Sequence, residues 1–138
     1  MIPLAIAIKI AETAFAEGQS RNIVNMSVVV TDVGGNVRLA MRADGQGMFG
    51  IDTAIGKAQT ALGFNRTSLA LSKIFTDGAA VAAIAGATGG RFVPLGGGIV
   101  VQKDGVTVGG AAVSGGLPDA DEAIIVTAVE AHGYTVLR

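Results

Sequence analysis

The run Gly109-Gly110-Ala111-Ala112-Val113-Ser114-Gly115-Gly116, followed after one leucine by Pro118-Asp119-Ala120-Asp121-Glu122, constrains the fold more than any other stretch. It reads as a strand nearly free of side-chain bulk leading into the start of an acidic helix. Glycines in a strand let another backbone or a ligand come close. A helix start presents unpaired N–H groups. Two readings follow and both stay open: the floor and wall of a small-molecule pocket, or close packing of this strand against a helix or a neighbouring subunit.

The rest of the chain supplies a hydrophobic periodicity around that strand. Leu4, Ile8, Ala11 and Phe15 recur at helical spacing, with Lys9, Glu12, Thr13 and Glu17 off the stripe, and Gly18 is placed to stop the helix. Met26 to Thr31 is a β-branched run, hence a buried strand. Asp32-Val33-Gly34-Gly35-Asn36 is a hairpin loop, and Val37 to Met41 returns from it. Ile51 to Leu62 has one apolar face and predicts a helix. Asn65-Arg66-Thr67-Ser68 predicts a cap before a short helix through Ile74. Thr76 to Arg91 is rich in Ala and Gly with little periodicity, and predicts a short helical turn plus loop.

Pro94 and Gly96-Gly97-Gly98 open a strand from Ile99 to Gln102, and Lys103-Asp104-Gly105 is a hairpin signal leading to Val106–Ser114. Asp119 with Glu122 three residues on predicts a capping box for a last helix from Ala120 to about His132, stopped by Gly133. Tyr134 to Leu137 predicts a short strand or an ordered tail. Antiparallel hairpins separated by helices indicate an α+β domain, one unit over residues 1–138.

Composition excludes several functions. Ten Lys and Arg oppose eleven Asp and Glu, without a basic run, and there are only five Phe and one Tyr. A nucleic-acid partner is not expected. With no Cys, disulfides, thiolate metal sites and Cys nucleophiles are excluded. One His and no ligand spacing leave no expected metal site. No apolar run reaches the roughly 20 residues that span a membrane, and Lys9 and Glu12 sit where a signal peptide would be apolar. The cytoplasm is the expected location. Half the residues are hydrophobic, which in so small a domain points to surface covered in a homo-oligomer.

Few side chains carry candidate chemistry. Thr53, Lys57 and Thr60 form one polar stripe on a helical wheel, beside the small Ala54 and Ala61. A desolvated Lys there would hold an anion or act as a base, with Asp121, Asp44 or a ligand anion as its partner; otherwise it is a solvated helix-face Lys. Arg42 would fork onto a carboxylate, or pair with Asp44 at the strand end; Arg66 and Arg91 carry weaker forms of the same case. Asp119, Asp121 and Glu122 suit acid/base work or a hard metal ion, although a helix start explains all three. Gly97, Gly98, Gly109, Ser114 and Gly115 are the candidate ligand-binding backbone. His132, the lone imidazole, complements a helix C-terminus, and is also the best nitrogen for haem iron or proton transfer. Ser114 lacks the flanks of a nucleophile elbow.

Ser27-Val28-Val29-Val30-Thr31-Asp32 with Gly35, Arg42-Ala43-Asp44-Gly45, Lys57-Ala58-Gln59-Thr60-Ala61 with Phe64, the Gly96 triplet, Gly105-Val106-Thr107-Val108-Gly109-Gly110, Val113-Ser114-Gly115 and Asp121-Glu122 come in one order. In that order they resemble the GlcG/HbpS-like haem-degrading domain family, which includes the C-terminal domain of PduO-type proteins. The resemblance implies a profilin-like five-stranded antiparallel sheet flanked by helices and assembled as an oligomer. It implies haem or tetrapyrrole binding in some members, and a shared pocket formed by Lys57, Thr60, Arg42, Asp121 and the two Gly stretches. It supplies no iron ligand at a position that maps here. The leading expectation is a small oligomeric binding protein for haem or a related tetrapyrrole. The alternatives are a cofactor-independent proton-transfer enzyme, of isomerase or lyase type, acting on a carboxylate or carbonyl metabolite in a catabolic pathway, and an accessory structural oligomer.

Overall fold

In the computed structural model, which describes Met1–Arg138, α1 (Leu4–Ser20) precedes a hairpin of β1 (Ser27–Thr31) and β2 (Val37–Arg42). Three helices follow: α2 (Gly50–Phe64), α3 (Ser68–Ile74) and α4 (Gly78–Ala87). A second hairpin of β3 (Gly98–Lys103) and β4 (Val106–Ser114), then α5 (Pro118–Glu130) and β5 (Thr135–Leu137), complete the chain. The five strands form one antiparallel sheet in the order β2-β1-β4-β3-β5. The fold is therefore the expected five-stranded α+β arrangement.

Period-two alternation divides the sheet between two helical layers. Val28, Val30, Ile99, Val101, Ala111 and Val113 point to one face, where α1 and α5 cover them with Ile10, Ala14, Ile124 and Val129. Val29 and Ala112 point to the other, against Ala54 and Ala58 of α2. The small residues of β4 bring α2 onto the sheet: a Cβ on Gly110 would come within 2.9 Å of the Leu62 side chain. The β3–β4 turn is the hairpin that Asp104-Gly105 predicts, since both residues are left-handed, at φ 51° and 77°. In the other hairpin the Asp32 carboxylate accepts from the Asn36 and Gly34 N–H groups, and these bonds, that from Asn36 above all, hold its pKa below the ordinary carboxylate value.

Three local expectations are corrected. Gly18 does not stop α1, which runs on to Ser20; it is buried in the helix because a Cβ there would strike the Met26 sulfur and the Ile23 carbonyl. The cap expected within Asn65–Ser68 is present: Thr67 caps α3, its hydroxyl accepting from Ala70 N, while Asn65 is the left-handed C-cap of α2. Asp119 is not a cap: Leu117 takes that position without a side-chain bond, and Pro118 opens α5. Thr76–Arg91 holds more than the expected short helical turn plus loop, for α4 runs over ten residues.

Candidate functional site

Lys57 projects from α2, and Asp121 lies in the first turn of α5. These helices cover opposite faces of the sheet, yet the two side chains meet. Lys57 Nζ donates to Asp121 Oδ2 at 3.2 Å and to the Val113 carbonyl at 3.1 Å. Asp121 also accepts from Gly116 N through Oδ1 at 2.8 Å and from Gly115 N through Oδ2 at 3.3 Å. Lys57 is 4% exposed and Asp121 1%. The pair joins the two helical layers past the end of β3.

Glycines make that crossing possible. Gly97 has φ +126°, and a Cβ on it would lie 2.3 Å from the Val113 carbonyl and 3.2 Å from Lys57 Nζ. A Cβ on Gly98 would lie 2.2 Å from the Lys57 carbonyl. The Gly96 triplet thus leaves room for a lysine to pass from one layer to the other. On the α5 side Gly115, at φ +146°, turns β4 so that its N–H and that of Gly116 point at the carboxylate.

Burial pushes the Lys57 pKa down, and Asp121 partly offsets this by attraction. Burial pushes the Asp121 pKa up, opposed by Lys57 and by the Gly116 and Gly115 N–H groups. Both shifts have one cause, the loss of water around a charge. The ligands nevertheless fit an ammonium and a carboxylate: two backbone donors face Asp121 and a carbonyl faces Lys57.

The surroundings are held by side chains that spacing did not single out. Ser68 Oγ accepts from Gly98 N at 2.7 Å and donates to the Leu95 carbonyl, which fixes the glycine strand over α2. Gln46 bridges β1 and β4: its amide donates to the Ser114 carbonyl at 2.8 Å, and its oxygen accepts from Ser27 Oγ. Contacts across 30 and 68 positions leave no trace in local spacing.

The helical stripe does not form one pocket. Thr53 returns its hydroxyl to the Phe49 carbonyl. Thr60 Oγ1 donates to the Arg91 carbonyl and accepts from Val93 N, clamping the chain after α4. Arg42 lies exposed on the edge strand β2 and forms no ion pair with Asp44; the ion pairs are Lys57–Asp121 and Arg21–Glu17. Gly109 packs against the Thr31 carbonyl and Ile2. Glu122 buries Oε1 without a hydrogen-bond partner. His132 lies beyond the end of α5, where Nε2 meets Thr13 Oγ1 at 2.8 Å.

Two adjoining cavities open elsewhere. One, of about 190 Å³, lies between the Gly34–Gly35 turn and Gln59, Leu62 and Arg91. The other, of about 150 Å³, shares Gln59, Gly63 and Arg91 and adds Thr60, Phe64 and Phe92. Of the expected site residues, Arg91 borders both and Thr60 one. Gln59 and Phe64 stand in the family-like motif, where Lys57 draws attention away from them.

The haem degrading protein HbpS-like family model matches residues 2–130. An uncharacterized 15.0 kDa protein from the dhaT-dhaS intergenic region of Citrobacter freundii is 30% identical over 129 residues, 94% of this chain and 90% of that protein. The corrinoid adenosyltransferase PduO of Salmonella typhimurium is 30% identical over 104 residues, which is 75% of this chain and 31% of that enzyme. The crystal structure of a PduOC:heme complex superposes with a TM-score of 0.88 over 99% of both chains, at 24% identity.

Proposed function

This chain belongs to the HbpS-like family of haem-degrading proteins, and from that premise we propose that it is a small oligomeric ligand-binding protein for haem or a related tetrapyrrole. The observation that carries the reading is the match of the family model across residues 2–130 on a fold whose neighbour was crystallised with haem.

The residues of one protomer do not enclose such a group. Pockets for organic ligands occupy about 300–1,000 Å³, and the cavities here hold about 190 and 150 Å³. The one imidazole borders neither cavity, and its Nε2 is engaged with Thr13. A tetrapyrrole would therefore lie on an open face or between copies. His132 is one ligand candidate there; an exposed Met, a Lys, Tyr134 or a hydroxyl are others.

Lys57 and Asp121 are assigned a positioning role in this reading. Each is satisfied by the other and by backbone groups, and neither lines a cavity. A base sealed from substrate moves no proton on it, so the binding reading stands above the proton-transfer one.

Titrating haem into the protein while following the Soret band tests the proposal. A saturable band is expected in wild type, weakened in His132→Ala. No band in either protein overturns haem binding; an unchanged band in His132→Ala removes that ligand assignment alone.

A further inference from the structure

Helix α4 is Gly-Ala-Ala-Val-Ala-Ala-Ile-Ala-Gly-Ala, and it contains no buried residue. A helix that is apolar on every side belongs inside a larger core. This one stands on the surface of the protomer as an arm, clamped at its root by the rings of Phe75 and Phe92, which meet edge to face at 5.3 Å.

The charges at its ends indicate what covers it. Between Asp77 and Arg91 the chain carries no charged side chain. Asp77 caps the helix, accepting from Ala79 N through Oδ1, which leaves Oδ2 without a partner. Arg91 is tied to the other end: its Nε donates to the Thr88 carbonyl and its terminal nitrogens remain free. Neither residue has an ion-pair partner in the protomer. The ten-residue helix is about 15 Å long, so these two charges do not reach each other within one chain. Reversing a second copy of the helix alongside the first sets anion against cation at both ends.

We propose that α4 is a self-complementary interface, packing antiparallel against α4 of a second copy about a two-fold axis near Ala82 and Ala83, with each Asp77 opposite Arg91 of the partner subunit. The outward face is Ala79, Ala82, Ala83, Gly86 and Ala87, all exposed. Side chains that small let two helices pack at the close end of the usual 8–10 Å range. A two-fold contact uses one surface twice, so the residue near the axis meets its own copy. This inference deepens the oligomeric part of the proposed function and does not depend on haem.

Ala83→Glu tests it. Ala83 is exposed, so the protomer fold is undisturbed, and circular dichroism melting checks that. In sedimentation equilibrium at micromolar protein, wild type is expected as a dimer or larger assembly. Ala83→Glu is expected to lower the mass at least twofold, and mixing it with Ala83→Lys to restore the wild-type mass. Asp77→Arg with Arg91→Asp together are expected to assemble better than either alone. An assembled wild type whose mass Ala83→Glu leaves unchanged overturns this interface while the oligomeric reading survives. So does a mixture that stays dissociated. A monomeric wild type overturns both.

Discussion

Replacing Lys57 with Met removes the ammonium and roughly keeps the stem. It leaves the Asp121 carboxylate 1% exposed, with the Gly115 and Gly116 N–H groups as its remaining partners. Breaking a buried ion pair from one side costs about 3–5 kcal/mol, because the surviving charge stays desolvated. That is a large part of the 5–15 kcal/mol that holds a typical domain. At roughly 2–4 °C per kcal/mol for a chain near this size, the melting temperature falls by on the order of 10 °C. The loss has a signature beyond its size. Without Lys57 the Asp121 pKa rises further, so the deficit shrinks as pH is lowered and the carboxyl takes up a proton. Removing the second charge as well, in Lys57→Met/Asp121→Asn, is expected to be less damaging than Lys57→Met alone at neutral pH. Urea titrations of the three proteins at neutral and acid pH measure all of this. A loss below about 1 kcal/mol that does not change with pH would refute the account of a buried cross-layer pair.

The wild-type pair itself gives pH dependence of defined sign. The Asp121 pKa is raised above its ordinary 3.8, so its contribution is fully present below 3.8 and lost as pH rises through the folded value. The Lys57 pKa is lowered from 10.5, so its contribution is present above 10.5 and lost as pH falls through the folded value. Urea midpoints of wild type minus those of Lys57→Met/Asp121→Asn are therefore expected to decline from acid towards neutral pH; a rise would contradict the directions given. Gly97→Ala meets both a left-handed backbone and the Val113 carbonyl, and is expected to destabilise by at least about 2 kcal/mol in thermal melts, whereas Gly105→Asn, in an open left-handed turn, is expected to cost well under that. Thr60→Val leaves the Val93 N–H without its acceptor and frees the Arg91 carbonyl; about 1–3 kcal/mol is expected, with faster amide exchange at Val93.

Local chemistry made much of the fold legible. Asp104-Gly105 tolerates two consecutive left-handed residues, so the β3–β4 hairpin could be read from two letters. Val28-Val29-Val30 is apolar on both sides because helices cover both faces of its strand. α4 was legible only as a short helical turn because a helix apolar all round has no period, and its alanines and glycines look like those of a loop. Asp119 misled because Pro118, preset for the first helical turn, moved the start of α5 two residues earlier.

The sequence singled out members of the candidate site but not their arrangement. Lys57 and Asp121 stood out as polar groups among small residues, and Asp121 was one of three partners open to Lys57. What spacing could not show is that 64 positions of chain bring them together through a gap left by Gly97. The Gly109–Gly110 pair that suggested a ligand floor packs against Thr31, Ile2 and Leu62, and it is Gly97 and Gly98 that make room for the lysine. Gln59, Arg91 and Phe92, which line the actual cavities, come from α2 and from the segment after α4, and meet only once α4 is folded.

In the proposed function, an assembled form of this chain binds a tetrapyrrole that a single protomer does not enclose. Sedimentation velocity of the wild-type protein with substoichiometric haem, recorded both in protein absorbance and in the Soret band, tests it most directly. One Soret-absorbing boundary that moves with the oligomer is expected. Haem that sediments with a monomer, or stays free at every protein concentration, would contradict it.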